Sequence, residues 1–121
     1  MRRARTDTPL QALVLLNDPT YIEASRKLGE RLMTEAKSDN DRIALVFRLA
    51  TARAPKAPET RVLLKLHDTQ LAAYQADQSA ALKLLAIGES PRNQKLDPAE
   101  LAAWTMVAST VLNLDETITK Q

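Results

Sequence analysis

The sequence contains no cysteine among its 121 residues. Disulfide bonds, thiolate metal sites, thiol nucleophiles and covalent haem attachment are therefore excluded within it. No apolar run approaches the roughly 18 residues of a membrane-spanning helix, so no span is predicted. Met1-Arg2-Arg3 has the charge of a signal-peptide start, but no small-residue cleavage site follows, and we expect no export signal.

Glycine and aromatic residues are also scarce, with two glycines and 3% aromatics. Proteins built from β-sheets usually need more glycine for tight turns, whereas helices disfavour it. Apolar residues still make up 45% of the chain, so the predicted core is aliphatic. No strand pattern competes with helical periodicity. The sequence predicts an all-α fold, and the length fits one domain over residues 1–121.

Prolines mark several helix starts, because proline is favoured at the first helical position and a side-chain oxygen before it can cap exposed amides. Thr8-Pro9, Asp18-Pro19 and Asp97-Pro98 fit this pattern, and Asp77 is a further cap. The start near Pro58 has no such side-chain cap. With the apolar periodicity, the signals predict helices over residues 9–16, 19–36, 39 or 40 to about 53, 58–76, 78–87 and 98–112.

Short connections between these segments predict an irregular antiparallel bundle of about six helices. Residues 1–8 form a basic arm in this interpretation, and residues 115–121 a tail. The helix over residues 9–16 is apolar almost all round, which predicts burial on more than one side. Such a helix suits the middle of a larger domain, and we expect the isolated chain to self-associate through the surface that is left uncovered.

Periodicity also predicts which side chains face the core. In the second helix, Ile22 and Gly29 belong to the inward stripe, and Arg26 faces outward with other charged residues. In the fourth helix, Val62 is predicted to point inward. Further inward positions are predicted at Leu63, Leu66, Ala73, Tyr74 and Leu101.

His67 is the only histidine. A catalytic histidine needs a nucleophile or carboxylate partner, and a metal site needs several ligands. Asp68 is adjacent, but neighbours in a helix point in different directions. We therefore predict that His67 is a surface or boundary residue.

Two acidic clusters in the sequence have residue types that could bind a cation. Asp39-Asn40-Asp41 resembles the start of a calcium-binding loop, but Ala44 and Ala50 stand where such a loop needs glycine and glutamate. Helix capping explains that cluster better. Asp115 and Glu116 could perform acid–base chemistry or hold a cation, whereas the simpler interpretation is a polar helix end that caps amides elsewhere.

Trp104 is expected to pack in the core, with stacking on a sugar or a base as the alternative. The sequence has no glycine-rich phosphate loop, nucleophile elbow or two-histidine helix motif, so no enzyme and no cofactor are predicted. Arg2, Arg3 and Arg5 form a solvated terminus in our interpretation. Nucleic-acid binding through them is the less favoured alternative, because no basic helix face with interleaved aromatics accompanies them.

The order of several segments resembles a known family. Its elements here are residues 5–19, the Tyr21-Ile22-Glu23-Ala24 stretch, residues 42–51 and a closing Leu112-Asn113-Leu114-Asp115-Glu116. They resemble the C-terminal part of a family of large exported planctomycete proteins, in which cytochrome c-like domains accompany domains of unknown function. The cysteines and histidine of a haem site are absent here, so haem binding does not carry over. Because relatives are commonly exported but no signal peptide is predicted, the sequence assigns no location.

The resemblance implies a protein partner, either the remainder of a parent-like chain or a second copy. We predict a non-catalytic helical module for structure or protein interaction. The alternative is a ligand-binding or accessory part of a polysaccharide-degrading or redox enzyme. Partial exposure of Trp104 in a polar cleft would favour the alternative, and its burial among Leu and Val the structural role. The candidate interaction or structural residues are Asn17, Asp18, Trp104, Asn113, Asp115 and Glu116.

Overall fold

The computed structural model describes residues 18–119, and the side chains of residues 18–114. This part of the chain is helical with no strand, which confirms the all-α prediction. Its five helices are α1 (Pro19–Glu35), α2 (Asp39–Thr51), α3 (Ala57–Ala76), α4 (Gln78–Leu85) and α5 (Pro98–Thr119). None of the five is both long enough and apolar enough to cross a bilayer. The helix predicted over residues 9–16, the basic arm and Asn17 lie outside the described residues.

Three predicted caps are confirmed. The Thr20 amide donates to Asp18 Oδ1 at 2.9 Å, and the Ala80 amide donates to Asp77 Oδ1 at 3.1 Å. At the start of α5, the Glu100 amide donates to Asp97 Oδ2 at 2.9 Å. Each bond satisfies an amide that has no partner inside its own helix.

The start of α3 has no capping hydrogen bond from a side chain before Pro58, as predicted, and Glu59 accepts a hydrogen bond from the Lys56 amide at 2.8 Å. The C-terminal ends of two helices differ from the prediction. At the end of α2, Ala52 adopts a left-handed φ of 63°. Helix α5 continues to Thr119, so the segment predicted as a tail is helical over most of its length.

Helix α5 is the centre of the fold. Every residue from 101 to 109 is buried, and α5 contacts each of the other four helices. Trp104 is completely buried, in the same cluster as Leu32, Ile43, Val46, Phe47, Leu63, Val107, Ala108 and Val111. Its predicted position in the core is thus confirmed, and aliphatic side chains supply most of its surroundings.

Helix α1 approaches α5 closely at Gly29. A Cβ atom added at Gly29 would lie 3.2 Å from the Thr105 amide nitrogen and 3.4 Å from the Trp104 carbonyl carbon. Both contacts are to backbone, so a larger residue would push the helices apart. The glycine in the inward stripe of α1 therefore allows α1 to pack closely against the α5 backbone at Trp104 and Thr105.

Some predicted core positions are wrong. Val62 is 67% exposed, and Ala73 is also exposed. In α3 the buried face is centred on Leu63 and His67, which are one turn apart, and Val62 lies to one side of it. Leu63 is buried as predicted and Leu66 and Tyr74 are partly buried, so the predicted face of α3 was too wide.

Candidate functional site

His67 lies in the interior, so its prediction as a surface or boundary residue is wrong. Its side chain is 2% exposed. The residue follows Leu63 by one helical turn, and this face of α3 packs against α5. The imidazole therefore meets polar side chains from α5 inside the fold.

Glu100 and Trp104 hold one side of the imidazole ring. His67 Nε2 lies 2.7 Å from Glu100 Oε2, and Trp104 Nε1 donates to the same oxygen at 3.0 Å. The imidazole and indole rings stack with centroids 4.3 Å apart at 32°. The Glu100 carboxylate, in the first turn of α5, therefore joins His67 to Trp104.

Two aspartates flank the other ring nitrogen. His67 Nδ1 lies 3.1 Å from Asp68 Oδ1 and 3.9 Å from Asp39 Oδ2. Their side chains are 75% and 45% exposed, so this side of the cluster reaches the surface. Asp68 therefore does contact the ring, contrary to the expectation for adjacent helix residues. Arg42 lies over the Trp104 ring, with its guanidinium carbon 5.6 Å from the centroid.

The cluster has groups for acid–base chemistry or for metal binding. Within residues 18–114, Asp39, His67 and Glu100 offer ligand atoms within 4.8 Å of one another. A histidine oriented by a carboxylate is also the arrangement of a general base, but such a base must reach a substrate proton. Here the ring is buried and stacked on Trp104, and each of its nitrogens lies at hydrogen-bond distance from a carboxylate, so the cluster is built to link α3 to α5.

A second polar cluster joins α1 to the irregular segment 88–96. Arg26 is 1% exposed, which corrects its prediction as an outward residue. Its guanidinium donates to Ser90 O and Ser90 Oγ at 2.9 Å, to Pro91 O at 3.3 Å and to Glu30 Oε2 at 2.8 Å. Glu30 Oε2 also accepts from the Asn93 amide at 2.8 Å. The charged face of α1 therefore binds the backbone of a distant segment.

Glu23 binds the start of that segment. Its carboxylate accepts hydrogen bonds from the Glu89 amide at 3.2 Å, the Ser90 amide at 2.7 Å and the Ser90 hydroxyl. Gly88 has a φ of 104°, and a Cβ there would lie 2.8 Å from Glu23. These conditions require glycine at position 88. The hydrogen bonds from the Ser90 hydroxyl, the Ser90 amide and the Glu89 amide lower the pKa of Glu23 from 4.5 to about 2.

Acid is expected to destabilise the fold through this carboxylate. Arg53 and the Lys56 amide likewise lower the pKa of Glu59 to about 2. Because both folded-state values lie below the ordinary 4.5, the folded chain binds fewer protons than the unfolded chain in that range. Stability that is present above pH 4.5 is thus lost as the pH falls towards about 2. Urea unfolding at several pH values should show this decline, and Glu23→Gln should make it shallower. An unchanged slope in the variant would contradict the assignment.

Of the residues singled out from the sequence, Asp18, Trp104 and Asn113 lie among those whose side chains the structure describes, and they have separate surroundings. Asp18 caps α1, and Trp104 is enclosed in the core. Asn113 is half-buried in α5, about 13 Å along the helix from Trp104. Tyr21 Oη donates to Ser109 O at 2.9 Å, which brings the start of α1 to the turn before Asn113. The backbone at Asp115 and Glu116 is helical, but their side chains lie outside those described.

The sequence held signals for the two clusters that were missed. Arg26 lies four residues after Ile22 and three before Gly29, so it falls within the buried stripe of α1. His67 lies four residues after buried Leu63. Both residues were predicted to lie away from the core because their side chains are polar, although their helical spacing places them on the buried face.

Comparison with known proteins places the chain in a family. The profile of PSD1, a protein family of unknown function (DUF1553), matches residues 1–67, just over half of the chain. We found no significant match among curated proteins or among solved structures. The chain belongs to the family of unknown function DUF1553.

Proposed function

We propose that the chain is a non-catalytic helical module that provides structure and protein contacts within a larger protein. We further propose that this protein is planctomycete and that the chain is its C-terminal part. In this proposal residues 1–121 form one irregular antiparallel bundle of about six helices. The additional helix is the one predicted over residues 9–16.

The main observation behind this proposal concerns the buried polar and ionisable side chains. They link the helices and the irregular segment to one another. His67 Nε2 and Trp104 Nε1 both contact Glu100 Oε2, which links α3 to α5. Arg26 and Glu23 in turn link α1 to segment 88–96. Buried polar groups that have partners hold elements in one arrangement, and this supports a structural role.

The alternative role as a ligand-binding or enzyme-accessory part has less support. It required the Trp104 ring to be partly exposed, whereas the ring has no exposed surface. Stacking on a sugar or a base needs a free ring face, and His67 already stacks on this ring at 4.3 Å. The burial of Trp104 among Leu32, Val46 and Val107 supports the structural role.

Exposed apolar side chains provide a surface for protein contacts. Val62 is 67% exposed and Leu49 is 39% exposed. Both lie within about two turns of the connection between α2 and α3. Single exposed apolar residues are common, but two at one helix connection favour contact with a second copy or with the remainder of a parent-like chain.

The first experiment measures the mass of the purified chain by size exclusion with light scattering over a range of concentrations. Far-UV circular dichroism is recorded on the same samples. We expect a helical chain whose mean mass rises with concentration. Val62→Asp should reduce that rise, because a charge at an apolar contact is costly to bury.

Ala72→Asp is the matched control. It adds the same charge at an exposed position of α3, about 15 Å along the helix from Val62. The control should associate like the unchanged chain. A cooperative helical monomer at every concentration, or equal effects of both substitutions, would contradict association through this surface.

A further inference from the structure

We propose that residues 9–16 dock on the C-terminal end of α5 and cover the apolar side chain of Leu114. The inference rests on the sixth helix of the proposed function and gives that helix a place in the fold. The occupant is a segment of the same chain, and the docking surface lies on α5 rather than at Val62.

The core face of α5 continues past the helices that cover it. Val107 and Val111 are completely buried in the main core cluster. Leu114 comes three residues after Val111 and seven after Val107, so it falls on the same face of the helix. Its side chain is nevertheless 41% exposed. The helices α1 to α4 therefore leave the last described part of this apolar face incompletely covered.

Helix α1 begins near this end of α5. Gly29 of α1 lies beside Thr105, and Tyr21 Oη donates to the carbonyl oxygen of Ser109 at 2.9 Å. The two helices therefore run in opposite directions, and α1 starts towards the C-terminal end of α5. Leu114 is about 7.5 Å along the helix from Ser109.

A short connection limits where the preceding segment can lie. Only Asn17 separates Leu16 from Asp18, the cap of α1, so the Cα atoms of Leu16 and Asp18 are within about 8 Å of each other. Eight residues in a helix extend about 12 Å. All of segment 9–16 thus stays within about 20 Å of the start of α1, and the end of α5 is within that reach.

The composition of the segment requires an apolar partner. Its aliphatic side chains are Leu10, Leu13, Val14, Leu15 and Leu16. Isolated helices shorter than about 12 residues are marginal in water, so this one needs burial against another element. The family match over residues 1–67 includes the segment together with α1 and α2, which supports a place for it within the fold.

The absence of cysteine allows a thiol to be introduced at one position at a time. Leu114→Cys is compared with Leu82→Cys, because the two leucines are 41% and 42% exposed. Leu82 lies in α4, which packs on the other half of α5 at Leu101. The rate of reaction with an aromatic disulfide reagent is followed by absorbance. We expect Leu114→Cys to react about tenfold more slowly, because the docked segment shields it.

A substitution in the segment should remove this shielding. Leu13→Asp places a charge in the apolar contact and should raise the rate of Leu114→Cys several-fold, with no change for Leu82→Cys. Leu13→Ala, measured in parallel, should raise it less. The fluorescence of Trp104, the only tryptophan, shows in the same samples whether the core stays intact. Equal rates for Leu114→Cys and Leu82→Cys would overturn the proposal, as would a Leu114→Cys rate that neither Leu13 substitution changes.

Dilution separates this docking from self-association. Shielding by the same chain does not depend on protein concentration, whereas shielding by a second copy decreases on dilution. A Leu114→Cys rate that rises on dilution would overturn the docking and support the association in the proposed function. A rate that stays low at every concentration supports the docking, whatever mass light scattering gives.

Discussion

Replacing Arg26 with methionine is expected to lower the free energy of unfolding by about 3 kcal/mol, measured by urea denaturation. Methionine keeps much of the aliphatic volume but removes the guanidinium. Glu30 would lose an ion pair of 2.8 Å while its side chain remains only 19% exposed. The carbonyls of Ser90 and Pro91 would lose their donors as well. Acceptors left without partners in a largely buried place cost more than the lost bonds themselves contribute.

Arg31→Met is the matched control for this prediction. Arg31 lies in the same helix and pairs with Glu35 four residues later at 2.8 Å, as Arg26 does with Glu30. The Arg31 and Glu35 side chains are 54% and 45% exposed, so solvent screens the pair. We expect a much smaller loss there than in Arg26→Met. Equal losses in the two variants would show that the contacts of Arg26 with segment 88–96 add nothing to stability.

The contacts of Arg26 explain why its burial could not be predicted from local pattern. Its partners Ser90 and Pro91 are 64 and 65 residues away in the chain. Helical periodicity places a residue on a face, but it does not show that an irregular segment covers that face. Segment 88–96 is irregular, and its attachment to α1 depends on tertiary contacts.

Sequence patterns predicted the structure correctly where the interacting groups are close together in the chain. The caps at Asp18, Asp77 and Asp97 involve amides only two or three residues away, and all three were predicted. The end of α5 was predicted too early, because Asn113 and the following acids disfavour a helix only weakly.

His67 illustrates a second limit of the sequence. The residue lies on the buried face of α3, but a lone histidine without visible partners was assigned to the surface. Its partner Glu100 is 33 residues away, at the start of α5. The interaction of Glu100 with Trp104 one turn later could be foreseen from helical spacing, whereas its contact with α3 depends on how the helices pack.

The two polar clusters have a common structural consequence. One links α1 to segment 88–96, and the other links α2 and α3 to α5 through His67, Glu100 and Asp39. Segment 88–96 leads directly into α5, so both clusters position the central helix. The aliphatic core supplies most of the burial, and the polar contacts select one arrangement of the helices around it.

Removing the indole at the centre of this arrangement is expected to have the largest effect of all. Trp104→Ala should lower the free energy of unfolding by about 4 kcal/mol in urea denaturation, because it leaves a cavity among Leu32, Val46 and Val107. It also removes the donor at 3.0 Å from Glu100. Trp104→Phe keeps an aromatic ring beside His67 and loses only the N–H and part of the volume. We expect about half the loss in that variant. A loss below about 1 kcal/mol in Trp104→Ala would contradict the structural role of this residue, because a fully buried tryptophan that packs the core cannot be removed at so small a cost.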